Sequence, residues 1–141
     1  MKKITSILIT TLFMMMLTAC GSSANDLPKN ETVNKGIEGK KIAVIYFSAT
    51  GNTKTIAEMI SKETGADIYE IIPSEAYTKE DLKYSDDNCR ANKEQRDDSS
   101  RPEIANDLSK TSEYDVIYIG YPIWWGTVPR IIQTYFEKYD L

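Results

Sequence analysis

An apolar run, Ile42-Ala43-Val44-Ile45-Tyr46-Phe47, passes directly into Ser48-Ala49-Thr50-Gly51-Asn52-Thr53-Lys54 and then into a segment with Ile56, Met59 and Ile60 at helical spacing. A buried strand, a tight hydroxyl-rich turn with one glycine, and a helix start, in that order, restrict the chain more than any other feature. Such a turn presents several backbone N–H groups to one point, and the helix N-terminus adds positive potential, so the segment reads as a phosphate cradle. Ser48, Thr50, Asn52 and Thr53 add neutral donors; the cradle contains no arginine, and Lys54 sits at its far end. An anion held by neutral donors in an acidic protein points to a cofactor monophosphate rather than a phosphoryl group in transfer. The P-loop nucleotide pattern is absent, since no Gly-Lys-Ser/Thr follows four residues after a glycine. The dinucleotide glycine fingerprint is absent as well. Turn and N-cap chemistry alone is the alternative account of a Thr-Gly-Asn-Thr turn between strand and helix.

The 141 residues have room for one domain at most. Met1-Lys2-Lys3 is a basic start, residues 4–17 are apolar with interspersed threonines, and Leu17-Thr18-Ala19-Cys20 closes the stretch. A spanning helix needs about 20 apolar residues, so this run reads as the apolar region of a signal peptide. Cys20 after Leu-Thr-Ala resembles a bacterial lipoprotein processing site. That resemblance implies a signal peptide over residues 1–19, cleavage before Cys20, and acylation of its thiol and new amino group. The expected location is extracytoplasmic, with the lipid anchor in the bacterial cell membrane. An ordinary signal peptide with a chance cysteine, or an uncleaved anchor, is the alternative. Residues 20–39, rich in Ser, Asn, Lys and Gly, read as a flexible tether, and the folded part begins near Lys40. Loss of Lys2 and Lys3 with the leader takes the formal net charge from −4 to −6, which argues against nucleic acid as a partner. The chain has no histidine, which excludes His-based triads, His-ligated metal and imidazole bases. Cys89 is the single cysteine besides Cys20, so no intrachain disulfide framework is expected after processing.

The predicted element order is strand, helix, strand, long polar loop, short helix, strand, helix. The first strand covers residues 41–47, the first helix residues 52–64 with Gly65 ending it, and the second strand residues 67–72. Residues 74–99, with charges of mixed sign and few apolar side chains, read as a solvated surface excursion. Ser100-Arg101-Pro102-Glu103 has the form of a capping box, with Ile104, Ala105 and Leu108 on one face of a short helix after it. Val116-Ile117-Tyr118-Ile119-Gly120 is a near-continuous apolar run that fits a centre strand of a parallel sheet. Val128, Ile131, Ile132, Tyr135, Phe136 and Tyr139 mark one face of a last helix starting at Thr127-Val128-Pro129. Alternating strands and helices predict an α/β fold, a parallel sheet with helices on both faces. The ligand then sits beyond the C-terminal strand ends, where the strand order reverses. Residues 48–54 and Tyr121-Pro122-Ile123-Trp124-Trp125-Gly126 are the two loops placed to face that crevice.

Tyr46-Phe47-Ser48-Ala49-Thr50-Gly51-Asn52-Thr53 resembles the phosphate-binding loop of flavodoxins. Gly120-Tyr121-Pro122-Ile123-Trp124-Trp125-Gly126 followed by Pro129 resembles the first flavin-ring loop of a bacterial flavodoxin-like subfamily, and Arg101-Pro102-Glu103 also fits it. The resemblance covers residues 40–141 and implies a flavodoxin-like fold, FMN as cofactor, and a one- or two-electron carrier or reductase. It implies that the side chains of Ser48, Thr50, Asn52 and Thr53, with the backbone of Ala49 and Gly51, hold the FMN phosphate. Pro122, Ile123, Trp124, Trp125 and Gly126 would line the isoalloxazine ring, with a backbone group at or near Gly126 by the ring nitrogen that changes protonation on reduction. One tryptophan would stack on the ring or shield an edge, and the other would cap the core, because neighbours in an extended segment point opposite ways. Tyr77, Tyr84 and Tyr121 carry no assignment.

The expected function is an FMN-binding electron-transfer protein anchored at the outer face of the membrane, with an unidentified redox partner protein. An NAD(P)H-dependent quinone or flavin reductase, and a lipoprotein remnant that binds no flavin, are the alternatives. A complete domain of this family has five parallel strands and a last helix. The chain therefore reads as truncated, lacking the last two strands and last helix, or as completed by a partner chain. An open edge on the third strand and exposed apolar helix stripes are expected consequences. If Cys20 is acylated, Cys20→Ala releases the protein from membranes or stalls its processing. Unchanged fractionation of the variant with normal cleavage, read by immunoblot, is the opposing result.

Overall fold

The computed structural model describes residues 37–139; the leader, Cys20 and the tether up to residue 36 lie outside the described residues. Its elements are β1 (Ile42–Tyr46), α1 (Asn52–Thr64), β2 (Asp67–Glu70), α2 (Arg90–Arg96), a 3-10 turn (Ser109–Glu113), β3 (Val116–Gly120) and α3 (Arg130–Lys138). The strands form a parallel sheet in the order β2-β1-β3, so the expected α/β class and the expected pairing of first and third strands both hold. Strand β1 is central and buried on both faces. Ala43, Ile45 and Phe47 face a core that includes Ile131, Ile132 and Tyr135 of α3. Val44 and Tyr46 face Ala57 of α1 and Ala66. This two-sided burial is why β1 reads as an unbroken apolar run rather than an alternating one. Helix α1 ends as expected at Gly65, which takes a left-handed φ of 70° and donates its N–H to Ser61 O at 2.8 Å.

Two expectations of exposed apolar structure hold, and two other expectations change. Strand β3 is the edge of the described sheet, open as expected although its apolar run by itself fits a centre strand, and all five of its residues are half-buried. Helix α1 buries Ala57, whereas Ile56 and Met59 are exposed and Ile60 is half-buried. The predicted stripe falls on the side of α1 next to the open edge of β3, where Ile56, Ile60, Ile119 and Ile123 line a groove of ≈ 520 Å³. The predicted short helix after Ser100 does not form. Residues 103–105 pair with a neighbouring segment instead of coiling: Pro73 and Ile104 form an antiparallel bridge, Ser74 N–H donates to Glu103 O at 2.8 Å, and Ala105 N–H donates to Ile72 O at 2.8 Å. The Asn106 side chain continues this ladder, accepting from Ile72 N–H at 3.0 Å and donating to Glu70 O at 2.8 Å. Arg101 forms a two-pronged ion pair with Glu137 on α3, both contacts at 2.7 Å, instead of opening a helix.

The second change is the polar stretch 74–99, which is not a solvated excursion. It contains α2, and Cys89, Ala91, Asn92 and Gln95 are buried. Tyr77 packs between Phe47 and Trp124 at centroid distances of 5.6 and 5.4 Å. Its hydroxyl donates to Glu94 Oε2 at 2.5 Å, and Arg90 pairs with the other Glu94 oxygen at 2.6 Å while lying 4.2 Å over the Tyr77 ring. The alternating charges are thus partners for one another at the edge of a core, which a charge count along the chain does not reveal.

Gly120 joins the sheet to the cradle. Its carbonyl accepts from Phe47 N–H at 2.9 Å, and a Cβ there would stand 3.3 Å from both Thr53 Cγ2 and Tyr46 Cβ. Gly120→Ala is therefore expected to cost about 1–3 kcal/mol through overpacking, read as a lower midpoint in urea unfolding; an unchanged midpoint counts against that contact. Burial, then the hydrogen bond to Glu94, pushes the Tyr77 hydroxyl above the ordinary tyrosine range. A group whose folded pKa is raised contributes stability that is present below its unfolded value of about 10 and is lost as pH rises above it. Tyr77→Phe should accordingly flatten the loss of stability above that pH; an equally steep loss in the variant overturns the assignment.

Candidate functional site

Parallel strands send their C-terminal ends the same way, and the register pairs Tyr46 with Gly120. The loops after β1 and β3 therefore leave the sheet side by side, the two loops singled out by sequence.

In the first loop, Gly51 takes φ 90° and Ser48 Oγ accepts its N–H at 3.1 Å. The Ser48 hydroxyl proton is left free to donate. Asn52 Nδ2 lies 3.4 Å from Thr50 Oγ1, a contact within the loop that leaves both side chains at the surface. Helix α1 has no side-chain cap at its N-terminus and no acidic residue in its first turn. Its leading N–H groups and positive dipole end therefore face the loop without a neutralising carboxylate. Space is open above Gly51, since no atom lies within 4 Å of where a Cβ would stand. Ala49 packs back onto the core and Thr53 fits against Gly120, so Thr50, Gly51 and Asn52 form the outward rim. Lys54 points away to Glu70 Oε2 at 3.9 Å, and the same oxygen accepts from the Tyr46 hydroxyl at 2.9 Å. The rim is a set of neutral donors around a helix N-terminus, as the residue types predict.

The second loop closes on itself. Trp124 N–H donates to Thr127 O and Thr127 N–H donates to Trp124 O, both at 3.0 Å. The two residues between them, Trp125 and Gly126, have φ of 48° and 78°. Two successive positive φ values are the mark of a type I′ turn, whose second position suits glycine and whose first rarely holds a tryptophan. This turn separates the indoles: Trp124 is 4% exposed and Trp125 is 50% exposed. Trp124 meets Phe47 edge to face at 5.8 Å, so it is the tryptophan that caps the core. Pro122 is half-buried, while Ile123 is 74% exposed, an uncovered apolar side chain beside Trp125.

Sequence alone assigns no role to Tyr84, yet its ring stands 5.2 Å from Trp125 and 6.3 Å from Trp124, edge to face with both. Tyr84, Ile123, Trp124 and Trp125 line a cleft of ≈ 240 Å³. The one signal for Tyr84 in the sequence is an aromatic among charged residues. Gly120, needed for the close approach of Thr53, carries no signal beyond its place at a strand end. No cluster of His, Cys, Asp or Glu suited to a metal occurs among the described residues.

The likeness to known proteins falls on this same segment. A flavodoxin family model matches residues 41–141. No curated protein matches the chain. A protein from Bacteroides eggerthii, assigned as a flavoprotein, has a crystal structure similar to this one: 43% identity, TM-score 0.71, covering 72% of this chain and 64% of that one. A second, from Bacteroides uniformis, is 44% identical with TM-score 0.69, over 72% of this chain and 65% of that one. A flavoprotein in complex with FMN from Lactobacillus acidophilus is 30% identical with TM-score 0.51, over 70% of this chain and 66% of that one. The chain thus spans less than two thirds of the length of the two Bacteroides proteins. With the family match over residues 41–141, the strand order β2-β1-β3 and the paired loops at one sheet end, the chain belongs to the flavodoxin family.

Proposed function

We propose that this chain is an FMN-binding electron-transfer protein, held at the outer face of the bacterial membrane through an acylated Cys20. The observation that carries the flavin reading is the uncapped, acid-free N-terminus of α1 opening onto the same sheet end as the tryptophan loop. The residues present fit FMN: open space over Gly51 admits a phosphate to the backbone, and the rim offers hydroxyl and amide donors. The FMN-bound relative from Lactobacillus acidophilus supports the same ligand.

In this reading Ser48, Thr50, Asn52 and Thr53, with the backbone of Ala49 and Gly51, hold the phosphate. Lys54 is engaged with Glu70, so the phosphate charge meets backbone dipoles and neutral side chains. Pro122, Ile123, Trp125 and Gly126 line the ring site, and Trp124 supports it from the core side. When bound, FMN supplies the one- or two-electron chemistry. The protein's part is to bind, orient and shield it: Trp125 and Ile123 offer apolar area, and the turn at Gly126 offers backbone hydrogen-bonding groups. The acidic net charge leaves nucleic acid outside the set of partners. A redox partner protein would dock at the exposed rim. Reductase activity with NAD(P)H and a quinone or flavin is a second reading, supported by the aromatic cleft of ≈ 240 Å³ beside Trp125.

Thr50→Ala and Asn52→Ala should each weaken FMN binding by about 1–3 kcal/mol, because each leaves a phosphate oxygen or neighbouring donor unpaired. Riboflavin, which lacks the phosphate, should bind much less well than FMN in a fluorescence-quenching titration. Equal affinity for the two flavins would remove the 48–54 loop from the phosphate site.

A further inference from the structure

We propose that Asn92 and Gln95 are positioning residues that set the width of the Tyr84–Trp125 cleft. They do so by tying the Tyr84 turn and the tryptophan loop to the same face of α2. The proposal rests on the reading that residues 122–126 receive the flavin ring.

Asn92 is 2% exposed and Gln95 is 9% exposed. They lie three residues apart, on one face of α2. Asn92 Nδ2 donates to two carbonyls of the Tyr84 turn, Tyr84 O at 3.1 Å and Asp86 O at 2.7 Å. Gln95 Nε2 donates to Val128 O at 3.1 Å, at the far end of the tryptophan loop. The two side chains thus reach in turn to the two segments whose aromatic rings meet edge to face and line the cleft.

The amides are an expensive way to fill this space. Asn92 Oδ1 and Gln95 Oε1 are both buried without a hydrogen-bond partner. An unpaired buried polar atom is destabilising, and an apolar side chain of the same shape carries no such atom. Leucine at 92 and methionine at 95 would occupy similar volumes with no orphan oxygen. Packing therefore does not account for these amides. What an amide can do here, and leucine or methionine cannot, is donate to the carbonyls of Tyr84, Asp86 and Val128.

The rest of α2 is built to give those donors a fixed base. Cys89 Sγ accepts from Asn92 N–H at 3.4 Å at the start of the helix. At its other end Arg130 of α3 donates to Gln95 O at 2.9 Å and pairs with Asp98. A brace fixed at both ends and hydrogen-bonded to both walls sets the separation of the walls. Without it the exposed Tyr84 turn is free to move relative to Trp125.

The test compares the full chain with Asn92→Leu, Gln95→Met and Tyr84→Ala. Each is read by thermal unfolding, by near-ultraviolet circular dichroism and acrylamide quenching of tryptophan emission without flavin, and by FMN and riboflavin titrations. The proposal expects Asn92→Leu and Gln95→Met to keep a cooperative transition, at a midpoint lowered by the lost hydrogen bonds. Both should lose aromatic dichroism and gain quenching, as Tyr84→Ala does. Both should bind FMN about tenfold more weakly, the size of one lost contact, and riboflavin more weakly by the same factor, because the phosphate loop is untouched. A parent chain that binds no FMN removes the flavin reading, and the flavin-free signals still decide the positioning role. Folded variants with unchanged dichroism, quenching and FMN affinity overturn the proposal while leaving FMN binding intact. Failure of both amide variants to fold makes the amides structural and also overturns it.

Discussion

Everything at the functional end of this molecule depends on the pairing of β1 with a parallel strand on either side. Parallel neighbours oblige the chain to cross over after each strand, so consecutive loops emerge at one end of the sheet. The Tyr46–Gly120 register and the hydrogen bond from Phe47 N–H to Gly120 O bring two of those loops together. The close approach also explains a glycine at position 120, since Thr53 and Tyr46 occupy the space above it. Helix α1 begins where this pairing ends, so its N-terminal amides open onto the same crevice as the tryptophans.

The second loop shows how a local turn sets an assignment that strand alternation only suggests. A tight turn with positive φ at Trp125 and Gly126 sends one indole into the core and the other to the surface. Holding tryptophan at φ 48° is locally unfavourable. It is retained by the paired hydrogen bonds of Trp124 with Thr127 and by burial of Trp124 against Phe47 and Tyr77. The first loop is made differently. It stores no opposite charge, and the one nearby lysine is turned toward Glu70. The positive potential at its rim comes from backbone dipoles, which are fixed by the fold and do not titrate.

The open edge of β3 and the exposed stripe of α1 have one physical origin. A helix that crosses a sheet buries the residues with a strand beneath them; Ile56 and Met59 are exposed, and Ile56 lines the groove beside Ile119 of β3. Apolar periodicity reports which helix face can be covered. It does not report how far the sheet extends under that face.

Sequence by itself determined the α/β class, the first strand and helix with their glycine stop, and the two loops at one sheet end. Each of these rests on short-range chemistry: an apolar run, turn residues at a fixed offset, helical spacing. Only the tertiary structure decided the rest. Residues 100–103 carry a capping sequence, yet no helix follows because Ile72 and Ser74 offer backbone partners some 30 residues away in the chain. The charged stretch 74–99 reads as solvated, yet Tyr77, Glu94 and Arg90 satisfy one another at the core's margin and α2 buries Asn92 and Gln95. The fate of each tryptophan, the place of Tyr84 beside Trp125, and the hydrogen bonds of Asn92 and Gln95 to the Tyr84 turn and Val128 depend on contacts between segments apart in sequence. Local propensity carries no information about such contacts, because burial and pairing are properties of the assembled layers rather than of any one segment.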